Sequence, residues 1–221
     1  MATNWRKRMS TNPFDDPDLA VRYEDWYAGE GRHASELEKA LLDKQLQSIN
    51  GTKSVLEIGC GSGHFTRWMR ELGYQVTGLD SSAAMLEQAK ALNGVEYVAG
   101  DATSLPFKDR VFDVAALITT LEFIDAPMLA IAEAARVAKF GVLLGVINRH
   151  SLLGFRRSRS GRAPWTSAKL YSPHELSHLV RSTLTDRVLK ISWQTTLWPI
   201  PFVKHLPLPW GGFIGMAVRL K

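Results

Sequence analysis

The stretch VLEIGCGSGHF, residues 55–65, runs from an apolar, β-branched segment into glycines at positions 59, 61 and 63. Glycine tolerates positive φ and brings the main chain against a ligand that a Cβ would repel. A loop between a strand and a helix N-terminus is where open α/β sheets bind their ligands. Two phosphate-binding patterns fail at this loop. A phosphate loop needs G-x-x-x-x-G-K-[ST], and no lysine is present to meet a phosphate. A dinucleotide fingerprint needs G-x-G-x-x-G, but counted from Gly59 the third glycine position is His64, and from Gly61 it is Thr66.

What remains is Glu57-x-Gly59-x-Gly61-x-Gly63, followed by Asp80 at the end of the next apolar stretch, 17 residues beyond Gly63. A carboxylate there can accept hydrogen bonds from both hydroxyls of a ribose. Asp101, in AGDA, ends a third strand where it could take the exocyclic amine of an adenine. The pattern asks for an adenosine with a small polar or cationic tail and no pyrophosphate.

Working outward, ASELEKALLDKQLQSI places Leu37, Leu41, Leu42, Leu46 and Ile49 on one side of a helix. KSVLEIG reads as a buried strand. Residues 63–72 recover a helical period through Phe65, Trp68, Met69 and Leu72, with Gly73 where a C-terminal cap is expected. YQVTGLD, VEYVAGD, FDVAALI and GVLLGVI read as further strands, SSAAMLEQAKAL and PMLAIAEAARVA as helices. That alternation predicts an α/β fold with a parallel sheet covered on both faces. After it, Ser172, Pro173 and Glu175 form a helix-start signature. Strands near DRVLKISWQ and GGFIGMAVRLK, with no helix between them, are most simply antiparallel.

Taken together, VLEIGCGSG, GLD, GDA and FDVAALITTLEF, in this order and spacing, resemble the motifs of class I S-adenosylmethionine-dependent methyltransferases. The similarity is to the small-molecule type typified by the ubiquinone/menaquinone-biosynthesis enzymes. It covers most of residues 20–147 and fades afterwards. It implies a doubly wound, Rossmann-like, mostly parallel sheet of seven strands with the last one antiparallel, and S-adenosyl-L-methionine as cofactor. The residues it implies at the cofactor are Tyr23, Glu57, Gly59, Cys60, Gly61, Gly63, Asp80, Ser81, Met85, Asp101, Ala102, Ile118 and Thr119. Gly59 to Gly63 would hold the methionine part, Asp80 the ribose, and Asp101 with Ala102 the adenine; Ile118 and Thr119 would pass the sulfonium. VRYEDWYAGEG resembles the family's N-terminal segment, which folds over the cofactor and could bring Tyr23 to it.

Bland readings stand beside these. Asp80 could cap the helix SAAMLEQA through its carboxylate. Met85, at helical spacing from Ala89, could be core, and Cys60 a small residue fitting a tight loop. Methyl transfer from a sulfonium rests largely on alignment and desolvation, and needs a base only if the acceptor must first lose a proton. The candidates for that base are Glu122, where the family often carries a histidine, and His150 after the fifth strand. Glu122 could instead cap a helix near Asp125 and Pro127, and His150 could be an exposed loop histidine.

At 221 residues the chain is expected to form a single domain, 1–221. Within it, 1–50 is read as the cofactor-covering segment, and 148–172 plus 193–211 as insertions on the substrate side. Cys60, the only cysteine, excludes an intramolecular disulfide and a site of several thiolates for zinc or arsenic, so no metal is expected. A carbon-5 pyrimidine methyltransferase would need a cysteine nucleophile elsewhere, and an exocyclic base methyltransferase an Asn/Asp-Pro-Pro-aromatic turn where this chain has ITTLEF. DNA is therefore not expected as a partner. No apolar run reaches the roughly 20 residues of a membrane span, and the basic start MATNWRKRMS lacks a secretory h-region. A soluble, cytoplasmic protein is expected.

The net charge of +5 is concentrated: residues 1–10 hold three Lys/Arg and residues 148–172 hold six, without an acidic residue. With those nine set aside from the 27 basic residues, 18 remain against 22 acidic ones. The basic segment is read either as a solvated loop or as a lid attracting an anionic acceptor. With the Trp- and Pro-rich stretch 193–211 it suggests a small-molecule acceptor with an apolar body and an acidic group. A homodimer contact or a membrane-surface patch shows the same composition. The alternatives are an RNA or protein methyltransferase and a non-catalytic S-adenosylmethionine-binding protein.

Overall fold

The computed structural model describes residues 12–221 except 93, 162 and 199–204. The basic stretch 1–10, Arg162 of the basic segment and residues 199–204 of the Trp/Pro-rich stretch lie outside the described residues. Two helices, α1 (Pro17–Ala28) and α2 (Arg32–Gln47), precede the sheet. Then come β1 (Ser54–Ile58), α3 (His64–Glu71), β2 (Gln75–Asp80), α4 (Ala83–Ala91), β3 (Glu96–Ala99), β4 (Phe112–Ile118), α5 (Pro127–Val137) and β5 (Ala138–Ile147). The chain ends with α6 (Leu152–Ser158), α7 (Pro173–Leu184), β6 (Val188–Thr196) and β7 (Phe213–Leu220).

Among the described residues the strands form one seven-stranded sheet in the order β3-β2-β1-β4-β5-β7-β6. The first five strands pair in parallel, and β7 runs antiparallel to both β5 and β6. Strand order reverses between β1 and β4, which opens a crevice at their carboxyl ends. The apolar runs are continuous because both faces of the sheet are buried. Val114, Ala116 and Ile118 of β4 join Leu41, Leu42, Phe65 and Met69 on one face; Ala115 and Leu117 join Ile131, Ala134, Leu176 and Val180 on the other. Side chains two apart share a face, so one strand feeds two cores.

Local signals are met where expected. Gly73 follows α3 at φ +95, although Leu72 lies outside the helix and is exposed. Ser172 and Glu175 form a complete capping box on α7. One feature differs from the sequence reading. The segment 148–172, read as a lid loop, contains α6, capped by Ser151 accepting from Gly154 N. As read from the sequence, β3 and β4 are joined without a helix; Arg136 of α5 holds that loop, donating to the carbonyls of Leu105 and Phe107 at 3.1 and 2.8 Å.

Candidate active site

The glycine loop leaves β1 in the left-handed region, with φ of +71, +54 and +81 at Gly59, Gly61 and Gly63. Gly59 is also hemmed in: a Cβ there would lie 2.2 Å from Thr120 Cγ2. Leu79 O accepts the N–H groups of both Gly59 and Cys60, at 2.7 and 3.0 Å. Gly61 N donates to Asp80 Oδ2 at 2.7 Å, and Ser82 N to Asp80 Oδ1 at 2.8 Å. Asp80 is therefore not the cap of α4. That role belongs to Ser82, whose hydroxyl accepts from Met85 N at 3.1 Å and donates to Phe14 O at 2.7 Å. Burial raises the Asp80 carboxyl, opposed by the N–H groups it accepts.

Glu57 sits beneath the loop, 1% exposed, and accepts from the Thr66 hydroxyl. Burial pushes its carboxyl up to about 8 against that hydrogen bond. Burial likewise raises the Cys60 thiol well above its ordinary value, so Cys60 is a packed residue and not a thiolate.

A cavity of about 450 Å³ opens above the loop, within the usual size of small-molecule sites. Of the residues expected at the cofactor, all but Gly63 line it. Gly63 instead stands at the N-cap of α3, where a Cβ would meet the Tyr97 hydroxyl at 2.2 Å. Met85 is 1% exposed and also lines the cavity, so it serves the core and the site together. Asn12, Phe14, Tyr23 and Tyr27 form a roof from the N-terminal segment. Glu24 ties that roof down, accepting from Ser62 Oγ at 2.6 Å and pairing with Arg67.

Sequence reasoning missed His64, the residue that breaks the dinucleotide pattern. Its ring stacks on Tyr27 at 3.8 Å and 8°, with Nε2 2.7 Å from Ser35 Oγ. Burial, with Lys39 and Arg67 nearby, lowers its pKa to about 3, so it is neutral at physiological pH.

A second cavity, of about 210 Å³, shares Tyr23, Tyr27 and Thr119 with the first. Its other walls include Glu38 of α2, Trp26, Ile147, Leu153, Trp165 and Arg157 of α6. Thr119 stands between the two cavities at φ +50, an uncommon conformation for a β-branched residue. Among the arginines of segment 148–172, Arg157 lines this cavity whereas Arg156 and Arg159 are exposed.

The two candidate bases line neither cavity. Glu122 is 1% exposed and accepts from Ile147 N at 2.7 Å, joining the carboxyl ends of β4 and β5. It does not cap α5, whose N-cap is Ala126 with no side-chain bond. Burial pushes its carboxyl up to about 7. His150 is exposed, and its main-chain N–H donates to Asn148 Oδ1 at 3.1 Å. Among the described residues no helix is long and apolar enough to cross a membrane.

Residues 56–145, from β1 to β5, match the family model described as a methyltransferase domain. The chain is 30% identical over 173 residues to a malonyl-[acyl-carrier protein] O-methyltransferase of Salmonella typhimurium, covering 76% of this chain and 67% of that protein. It is 34% identical over 142 residues to the Buchnera aphidicola protein of the same name, covering 62% of this chain but 58% of that one. A solved structure from Thermotoga maritima, an S-adenosylmethionine-dependent methyltransferase named as a possible histamine N-methyltransferase, superposes with a TM-score of 0.76 at 27% identity, covering 93% of this chain and 97% of that chain. The chain belongs to the family of S-adenosylmethionine-dependent methyltransferases.

Proposed function

We propose that the protein transfers a methyl group from S-adenosylmethionine to a small-molecule acceptor, with the cofactor in the larger cavity and the acceptor in the smaller one. The observation that carries this reading is the wall common to both cavities, formed by Tyr23, Tyr27 and Thr119. A reaction joining two ligands needs a point where their sites meet.

The residues of the larger cavity fit an adenosine with a sulfonium tail. Each Asp80 oxygen accepts one N–H and retains a lone pair for a ribose hydroxyl. Asp101, exposed at the rim, is the acceptor for an adenine amine. Gly59 and Gly61 offer bare main chain to the methionine part, and the loop has no lysine for a phosphate. When bound, the cofactor supplies a methyl group on an already activated leaving group. The chain's work is then to hold both partners in line at Thr119 and to exclude water with the roof of Phe14, Tyr23 and Tyr27.

Thermal-shift titration with S-adenosylmethionine, S-adenosylhomocysteine, NAD and ATP tests the cofactor side, because a specific ligand stabilises the native state by mass action. The two sulfur nucleosides should raise Tm and the two phosphate ligands should not. Stronger stabilisation by NAD would overturn the reading.

A further inference from the structure

The smaller cavity is lined by a buried carboxyl group without a protein partner. Glu38 projects from α2 at 4% exposure and lines the cavity. Among the described residues its carboxylate takes part in no hydrogen bond and no close ion pair. Buried carboxylates are ordinarily hydrogen-bonded or paired, because an unsatisfied one is costly. The Glu38 oxygens are not sealed in protein: they open into the cavity, where a ligand's donor can reach them.

The charges around Glu38 define which donor suits it. From α6, Arg157 faces Glu38 with its guanidinium carbon 4.4 Å from the Trp165 ring centroid and 5.7 Å from that of Trp26. From α1 come the hydroxyls of Tyr23 and Tyr27, and Arg22, which pairs with Asp16 at 3.7 Å. Lys39, next on α2, pairs with Glu36 at 3.6 Å. Beyond Thr119, Glu122 adds a second carboxyl whose field reaches Glu38. The remaining wall is apolar, with Leu19, Ala34, Ile147, Leu153 and Leu197 beside Trp26 and Trp165.

We infer that Glu38 anchors an acceptor carrying an amine, whose ammonium donates to the carboxylate while its apolar body packs against Trp26, Tyr23 and Tyr27. This rests on the smaller cavity being the acceptor site. An ammonium satisfies Glu38 directly. An anionic acceptor could meet Arg157, but only by lying beside Glu38 in the same small space. Glu38 can also take the proton that an ammonium must shed: the N–H bond breaks, its electron pair stays on nitrogen as a lone pair, and an O–H bond forms on the carboxylate. Burial, with Glu122 adding to it and Arg157 opposing it, pushes the Glu38 carboxyl up to about 8 in the empty cavity. Ammonium affinity should accordingly rise with pH up to about 8, as the carboxyl ionises.

The test is calorimetry on the full chain saturated with S-adenosylhomocysteine, using 2-phenylethylamine and 3-phenylpropanoate as probes of similar size and opposite charge. At pH 8 the amine should bind at least about tenfold more tightly than the carboxylate, the scale of one charge-assisted hydrogen bond. Glu38→Gln should remove most of that preference while leaving S-adenosylhomocysteine affinity within about twofold. Arg157→Met should move the pH-dependent rise in amine binding to higher pH, an effect that a purely structural role for either residue would not produce. Tighter binding of the carboxylate, binding of neither probe, or unchanged amine affinity in Glu38→Gln would overturn the inference. The wild-type comparison of the two probes needs no variant to fold. Failure of the wild-type protein to bind S-adenosylhomocysteine would instead strike at the assignment of the larger cavity.

Discussion

Asp80 accepts the backbone N–H of Gly61 at 2.7 Å, so one carboxylate both closes the glycine loop and lines the larger cavity. Asp80→Ala should weaken S-adenosylhomocysteine binding by about tenfold or more, since charge-assisted hydrogen bonds contribute about 1.5–3 kcal/mol each. It should also cost stability, because the N–H groups of Gly61 and Ser82 lose their acceptor. Calorimetry and urea unfolding separate the two effects. An unchanged dissociation constant in a folded variant would remove Asp80 from the ligand.

Gly59 and Gly61 share positive φ but differ in space. Gly59→Ala drives a Cβ to within 2.2 Å of Thr120, whereas at Gly61 the nearest atom is Met85 Sδ at 3.8 Å. Gly59→Ala should cost about 2–4 kcal/mol, combining overpacking with the left-handed backbone penalty. Gly61→Ala should cost about 1–2 kcal/mol from the backbone alone. Similar urea midpoints for the two variants would show that the contact with Thr120 is easily relieved.

Glu24 holds the N-terminal roof through Ser62 and Arg67. Its pair with Arg67 is half-buried, so Glu24→Ala should cost about 1 kcal/mol of stability, near the upper end for such pairs. The more diagnostic outcome is faster proteolysis between residues 12 and 31, suppressed when S-adenosylhomocysteine is added. Equal cleavage of variant and wild type would mean that the aromatic contacts of Tyr23 and Tyr27 hold α1 without Glu24.

The buried carboxyls make stability depend on pH. Glu38 and Glu57 rise from 4.5 to about 8, and Glu122 from 4.5 to about 7. Each is more readily protonated in the folded state, so its contribution is complete below 4.5 and is lost as pH rises through the folded value. His64, lowered from 6.5 to about 3, works in the opposite direction, contributing above 6.5 and losing that contribution as pH falls through the folded value. These groups oppose one another between 4.5 and 6.5, but above 6.5 only the carboxyls act. The ligand-free protein should therefore lose Tm between pH 6.5 and 8.5. Glu122→Gln, which keeps an acceptor for Ile147 N, should flatten that slope and raise Tm at pH 8.5 by about 2–4 °C per kcal/mol recovered. A slope unchanged by the substitution would mean that Glu122 ionises freely where it lies.

Much of this molecule is legible in its amino-acid sequence, because much of it is local. The apolar runs around Val55 and Val114 announce strands buried on both sides, and period-two alternation then distributes β4 between two cores. Ser172 and Glu175 mark a helix start through bonds that span three residues. The glycine loop and Asp80 are legible for the same reason: a backbone with positive φ and a carboxylate at a strand end each leave a residue-type signature.

Tertiary structure decided what depends on residues distant in sequence but adjacent in space. Whether Asp80 or Ser82 caps α4 turned on the loop 19 residues upstream, which claims one Asp80 oxygen. The fit of His64 against Tyr27, and the clamp from Glu24 to Ser62 and Arg67, arise only when α1 is folded across the carboxyl edge of the sheet. Glu38 reads in sequence as an ordinary helical charge. It becomes a buried carboxyl facing Arg157, unpaired among the described residues, because much of the solvent that would have hydrated it is displaced by α1 and α6, and desolvation belongs to the assembled fold, not to any segment.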